Sequence, residues 1–297
     1  MQTSNVKDNG LTANPHTFQQ KELRMKKILK WVGIVLAGLI GVTFLTGLAL
    51  YPSGKEKLTH YYPDISVEAV NVPSDNDSIA HGKHVAIIWG CTKCHGEDLS
   101  GMLLANDPIL GTLPASNLTV GEGGVGKSYT NTDWVRAIRH GIKPNNQVEI
   151  FMNDYSILSD QDLGDLIAFL KKIPPVDSRL QAIHLGAVVP IAPAIGLFTP
   201  SAELIDHGAK RPNDPVPGTT AEYGKYLFTI CSECHGNDLA TRLEKWSQAD
   251  FMQAVRTGVL PDGKMLFQSM STKSFSELND TELTALWLFL HSSLPVK

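Results

Sequence analysis

Cysteine is scarce and confined. The four cysteines of this 297-residue chain, Cys91, Cys94, Cys231 and Cys234, all sit in two short motifs. None is left elsewhere for the further Cys/His pairs that a zinc site requires, or for a wider disulfide framework. Basic charge is also short: 26 Lys and Arg face 30 Asp and Glu, a net of −4. Residues 1–51 alone hold six Lys/Arg against two Asp/Glu, which leaves residues 52–297 at a net of −8. Binding to nucleic acid is driven by basic groups that replace counterions, so an acidic segment of this size argues against it. Basic protein partners suit it better. Alternating runs long enough to build a sheet are missing too, and the expected fold class is all-α.

Charge is absent altogether from Trp31 to Tyr51, WVGIVLAGLIGVTFLTGLALY, over 21 positions. At about 1.5 Å per helical residue this stretch spans a hydrocarbon core of about 30 Å. Lys21, Arg24, Lys26, Lys27 and Lys30 lie just before it, which by the positive-inside rule keeps residues 1–30 in the cytoplasm and puts everything after Tyr51 outside. A cleaved signal peptide is the rival reading, with Gly47-Leu48-Ala49 as a passable site. The apolar run and the leader before it are both long for a signal peptide, which favours an uncleaved anchor.

The cysteines read Cys91-Thr92-Lys93-Cys94-His95 and Cys231-Ser232-Glu233-Cys234-His235. Both are C-x-x-C-H, the attachment pattern of c-type haem. Two thiols three residues apart on one helical turn each reach a vinyl group on one porphyrin edge, and the next residue places its imidazole under the iron. Paired disulfides, a redox-active C-x-x-C or half of a zinc site are the plainer alternatives. The histidine after each pair, in both copies, favours haem.

The segments around the motifs repeat. Gly82-Lys83-His84-Val85 matches Gly224-Lys225-Tyr226-Leu227, and CHGEDLSG from Cys94 matches CHGNDLAT from Cys234. DWVRAIRHGIKPNN from Asp133 matches DFMQAVRTGVLPDG from Asp250, and the blocks from Leu158 and Leu278 align over 19 positions without a gap. Each copy reads as helical. Ser159 to Asp162, Asn279 to Glu282, Thr130 to Asp133 and Ser247 to Asp250 have the N-cap spacing with an acid at the third position. The middle helices end at Gly141 and Gly258, and Leu163, Leu166, Ile167, Leu170 and their counterparts Leu283, Leu286, Trp287, Leu290 form apolar stripes for a core.

This order of a helix into C-x-x-C-H, a middle helix, a methionine loop and a final amphipathic helix resembles class I cytochrome c. The blocks SNLT, DWVRAIRHG and LSDQDLGDLIAFL are similar to membrane-anchored multihaem cytochromes that serve periplasmic dehydrogenases. The resemblance implies a cytoplasmic tail (1–30), a transmembrane anchor (31–51), a linker (52–74), two tandem class I cytochrome c domains (75–178 and 217–297) and an interdomain linker (179–216). It implies two covalently bound haem c groups, held by Cys91 and Cys94 and by Cys231 and Cys234, with His95 and His235 as proximal iron ligands. The family's ligand methionine lies in the loop before the final helix. The repeat puts Met152 and Met270 there, one position out of register, with Met265 as a competitor aligned instead to Val148. In the family an Asn-Leu-Thr stretch lies near the haem edge, so Asn117 and Thr119 are expected to hydrogen-bond the haem. The remaining histidines, His16, His60, His81, His84, His140, His184, His207 and His291, repeat nowhere as histidine and are expected on the surface or behind the ligands, His291 exposed to solvent.

Gly121 to Ser128, GEGGVGKS, matches the phosphate-loop pattern at every fixed position. It lacks the buried strand before it and the helix start at its Lys-Ser end that would aim N–H groups at a phosphate. It falls in an extra stretch of the first copy, so no nucleotide is expected. The linker segment GAVVPIAPAIGLF is too short and proline-broken for a second span. The functional expectation is a carrier of single electrons on the periplasmic side of the bacterial inner (cytoplasmic) membrane. It takes them from a dehydrogenase or quinol-linked donor and passes them to a terminal oxidase or soluble cytochrome. The alternative is a dihaem redox enzyme of peroxidase or thiosulfate-oxidising type with one exchangeable site, which two placed methionines argue against.

Overall fold

The computed structural model describes residues 15–266, 270 and 272–292, and the chain divides into two compact units, Met1–Pro52 and Ser53–Lys297. Helix α1 covers Pro15–Leu58, 44 residues, about 66 Å at the usual rise. It is long and apolar enough to cross a membrane. It runs on past the expected end at Tyr51, through Pro52. A helical proline costs about 3 kcal/mol; past it, Gly54 and Leu58 are buried.

The Ser53–Lys297 unit begins with α2 (Asn76–Ile88), where Asp75 Oδ1 accepts the Ser78 N–H at 2.9 Å. Gly90, at φ +78°, turns the chain into α3 (Cys91–His95). Strands β1 (Met102–Asp107) and β2 (Gly111–Ala115) follow, then α4 (Asn131–His140) and α5 (Asp160–Leu170). The connecting segment holds β3 (His184–Leu185) and short helices α6 (Ile191–Ala194) and α7 (Ser201–Leu204). The second copy supplies α8 (Ala221–His235), α9 (Leu239–Arg242), α10 (Gln248–Thr257), α11 (Thr272–Phe275) and α12 (Asp280–Ser292).

The four expected helix starts are all built. Thr130 with Asp133 and Ser247 with Asp250 form complete capping boxes, and α4 and α10 both stop at a left-handed glycine, Gly141 and Gly258. Ser159 Oγ accepts the Asp162 N–H, and Asn279 and Glu282 exchange backbone-to-side-chain bonds of 2.8 and 3.0 Å. In the first copy a Cβ on Gly82 of α2 would stand 1.9 Å from the Asp165 carbonyl oxygen of α5; in the second, one on Gly224 of α8 would stand 1.9 Å from the Ala285 carbonyl oxygen of α12. The repeat pairs Gly82 with Gly224 and Asp165 with Ala285, so both copies cross their first and last helices at the same point. One apolar core, from Val85, Trp134 and Leu166 to Leu227, Phe251 and Leu286, runs through both.

The all-α expectation is corrected in one place: β1, β2 and β3 form an antiparallel sheet in that order. Asp107 Oδ1 turns the hairpin by accepting the N–H groups of Ile109 (2.8 Å) and Leu110 (2.9 Å), an Asx turn. The segment 179–216 is packed rather than free. Arg211 reaches Glu68 and Asp160 at 3.2 and 3.1 Å, and His207 meets His140 Nδ1 to Nδ1 at 3.0 Å. His207 gives its Nε2–H to the Ala202 carbonyl, so His140 is the donor between the two rings. Burial, and then the neighbouring His207, push His140 down to about 4, which keeps the pair neutral.

Candidate functional site

The first C-x-x-C-H opens onto a cavity of about 360 Å³ whose wall includes Cys91, Cys94, His95, Asn117, Met152, Trp89 and Trp134. Gly90 and the single turn of α3 put both thiols on this wall. His95 Nδ1 lies 2.7 Å from the Ser116 carbonyl oxygen. A carbonyl only accepts, so Nδ1 carries the proton and the Nε2 lone pair is left for a metal. Burial, opposed by that hydrogen bond, holds His95 below the ordinary imidazole value, which keeps it in the neutral form that ligation needs.

No disulfide joins the cysteines of either pair. Burial pushes Cys91 and Cys231 each up to about 12. A redox-active C-x-x-C depends on a depressed thiol, so this environment is the reverse of what thiol–disulfide exchange requires. The indole N–H groups of Trp89 and Trp134 are buried without a hydrogen-bond partner among the described residues. Leaving such a donor unmet costs about 1–3 kcal/mol. Both rings line the cavity, so a bound group that brings acceptor oxygens, as haem propionates do, fits it. Glu149 is also on the wall, its carboxyl raised by burial and partly held down by Lys143 at 3.8 Å.

Met152 lies on the same cavity wall as His95, half-buried. Asn117 lines the cavity too, but its polar atoms are engaged: Nδ2 donates to the Val176 carbonyl at 2.8 Å and Oδ1 accepts the Thr119 N–H at 2.9 Å. Thr119 is fully buried, and its hydroxyl donates to the Val176 carbonyl and accepts the N–H groups of Val176 and Gly121, each at 3.1 Å. The two residues expected to bond the haem thus stitch the glycine-rich loop to the chain after α5. That loop is glycine-rich because it is closely covered: a Cβ on Gly121 would meet Val176 backbone at 2.2 Å, and Gly123, at φ +82°, abuts the Ser178 carbonyl. Thr119→Val strips three backbone partners at a buried point and is expected to cost about 2 kcal/mol, read as a lower Tm with the haem content unchanged.

In the second copy Cys231 and His235 are half-buried and Cys234 is exposed, all at the end of α8. His235 is lowered by burial and then by Arg242. Met270 is half-buried, and residues 267–269 and 271 beside it lie outside the described set. Met265 is exposed and bridges Val259 as Val148 bridges Ile142, which keeps it at the Val148 position of the repeat. His291 is not free in solvent: its ring stacks on Trp287 with centroids 3.5 Å apart. The sequence reading missed Trp89 and Trp134. Trp134 stands in the repeated block opposite Phe251, and that exchange of an N–H-bearing ring for a bare one was the available signal.

A thiol pair, a neutral histidine and a thioether thus share the wall of one cavity, a donor set of the kind that c-type haem attachment uses. Residues 79–174 match the cytochrome c family, which implies a covalently bound haem c there. The chain is 24% identical over 262 residues to the fructose dehydrogenase cytochrome subunit of Gluconobacter japonicus, covering 74% of this chain and 53% of that protein. It is 29% identical over 199 residues to the gluconate 2-dehydrogenase cytochrome c subunit of Pantoea cypripedii, covering 61% and 43%. It is 28% identical over 174 residues to the alcohol dehydrogenase (quinone) cytochrome c subunit of Gluconobacter oxydans (strain 621H), covering 54% and 36%. The chain thus spans about half the length, or less, of the curated relatives it matches.

Proposed function

We propose that this chain is a membrane-anchored dihaem cytochrome c that carries single electrons outside the cytoplasm, with a dehydrogenase as donor and a soluble cytochrome or terminal oxidase as acceptor. Its two tandem haem domains follow an anchor at residues 31–51. The observation that carries the reading is the repeat of C-x-x-C-H, in α3 directly after α2 and at the end of α8, followed in each copy by the same capped middle and final helices. A bound haem supplies the one-electron couple. The chain's own part is to hold it by thioethers at Cys91, Cys94, Cys231 and Cys234 and to offer imidazole nitrogens from His95 and His235. Met152 and Met270 would each offer a thioether sulfur as a second protein ligand, Trp89 and Trp134 would donate to acceptor oxygens of the group bound in the first copy, and burial would exclude water. The dehydrogenase names of the relatives support the donor class.

A redox titration with haem counting on detergent-extracted protein tests this. Two haems per chain, each low-spin with a histidine and a methionine, are expected; one haem, or two bis-histidine haems, would overturn the assignment. Met152→Ala is expected to lower the potential of one haem by on the order of 0.1 V and to let its ferrous form bind carbon monoxide, because methionine opposite histidine raises the potential and closes the site.

A further inference from the structure

Gly54 follows Tyr51 by three residues, so no more than about 11 Å of chain separates them. Within the Ser53–Lys297 unit a second segment closes on Gly54: a Cβ there would stand 1.5 Å from the Pro190 carbonyl oxygen and 3.2 Å from Ala194. Lys57 Nζ donates to the Pro193 carbonyl at 3.3 Å and reaches Glu203 at 3.9 Å, and Leu58 is buried in one cluster with Val189 and Ala202. The hairpin joins the same group of segments, since the Gly186 N–H donates to Leu110 at 2.9 Å. These segments carry large apolar side chains that the fold leaves uncovered: Ile109 63% exposed, Ile195 59%, Leu197 78% and Leu204 70%. They belong to the part of the chain that is tied, backbone against backbone, to the first turn after the apolar run.

We infer that these uncovered side chains, with Val188 at 44% exposure, make one face, Ile109, Val188, Ile195, Leu197 and Leu204, that lies on the outer leaflet of the membrane in the boundary between headgroups and acyl chains. The inference rests on reading Trp31–Tyr51 as the anchor. A span that ends at Tyr51 places its next few residues in the headgroup layer, which is only about 5–8 Å thick on each side. Whatever packs on Gly54 is then held beside that layer by the covalent chain. Apolar side chains at such a depth gain an apolar medium without inserting a further helix. Tyr51, Lys55 and Lys57 have the amphipathic character that favours this level. A protein partner would also cover apolar side chains, but it would have to displace a surface that the tether already supplies.

Spin-label depth measurement on the full, haem-loaded chain in phospholipid nanodiscs decides between these. The native cysteines are taken up as thioethers, and labels go on single exposed sites: Leu197→Cys and Ile195→Cys on the face, Leu36→Cys in the apolar run, and Val216→Cys, an 83% exposed apolar position with no part in the face. The expected result is that labels at 195 and 197 lose collisions with an aqueous nickel complex and gain them with oxygen, as at 36 and unlike 216. If 195 and 197 behave like 216 while 36 reads as lipid, the inference is overturned and the face belongs to a protein partner. If 36 itself reads as aqueous, the anchor reading has failed and takes the inference with it.

Discussion

Gly82→Ala is expected to unfold the first copy, and Gly224→Ala the second, although alanine is the better helix former by about 1 kcal/mol. At each point the added methyl group would stand 1.9 Å from a backbone carbonyl oxygen of the opposing helix, and 2.4 Å from the carbonyl carbon behind it. Those are main-chain atoms inside α5 and α12, so no side-chain rotation relieves the clash. The helices must move apart, and the separation loosens Val85 and Leu166 in one copy, Leu227 and Leu286 in the other, all buried in the shared core. Overpacking of this sort costs about 1–3 kcal/mol when side chains can adjust. Against backbone, about 3 kcal/mol or more is expected, a large part of the 5–15 kcal/mol that holds a domain together. Thermal unfolding followed by far-UV circular dichroism and covalent haem yield reads it. A variant with parental Tm and parental haem content would show that the crossing is looser than this geometry requires.

That crossing was only half legible in the sequence. The repeat aligned Gly82 with Gly224, but only the helix packing shows what each glycine faces. The helix starts were legible because a cap is local: Thr130 and Asp133, or Ser247 and Asp250, are three residues apart and need nothing else. C-x-x-C-H was legible for the same reason. The hairpin was not, because β1 is exposed along most of its length and reads Met102-Leu103-Leu104-Ala105 without alternation; its local signal was the Asp107-Pro108 turn. Met152 was singled out by aligning the repeat rather than by spacing, and it lies on the cavity wall that also holds His95. Asn117 and Thr119 were expected to hydrogen-bond the haem, and here their polar groups close the loop on Val176. The reason is a contact 57 residues away in the chain, which no local pattern encodes.

The least legible feature joins the two copies. His84 of α2 meets Glu282 of α12 at 2.7 Å, and Tyr226 of α8 meets Asp162 of α5 at 2.5 Å. The alignment pairs His84 with Tyr226 and Asp162 with Glu282, so one position of each first helix bonds the third helical residue of the other copy's last helix, reciprocally. The two copies therefore associate like the halves of a two-fold dimer, by one self-complementary patch. Trp89 and Tyr226 extend the seam, with ring centroids 5.9 Å apart. As a sequence comparison, histidine against tyrosine looked like divergence; in the seam each is a donor to a buried carboxylate.

The two arms differ in how they answer pH. Burial, and then Asp162, raise the Tyr226 phenol well above its ordinary value, so that arm stays a neutral donor throughout the physiological range. His84 is raised chiefly by its hydrogen bond to Glu282, against desolvation, with further help from the charges of Glu282, Glu277 and Asp162; Tyr223 faces the same carboxylate. A histidine whose folded value is raised stabilises the protein fully below its ordinary value near 6.5, and that contribution is lost as pH rises through the raised value. Glu282 is only 3% exposed, and removing one partner of a fully buried pair costs about 3–5 kcal/mol. His84 is a quarter exposed, so His84→Ala is expected to cost about 2 kcal/mol at pH 5.5 and clearly less at pH 8.5. His84→Gln keeps a donor without the charge, and should flatten the pH dependence while losing only part of the stability. Tyr226→Phe should lower Tm equally at both pH values. Melting curves of the four proteins at the two pH values test this, and a His84→Gln variant that kept the parental pH slope would place the titrating group elsewhere.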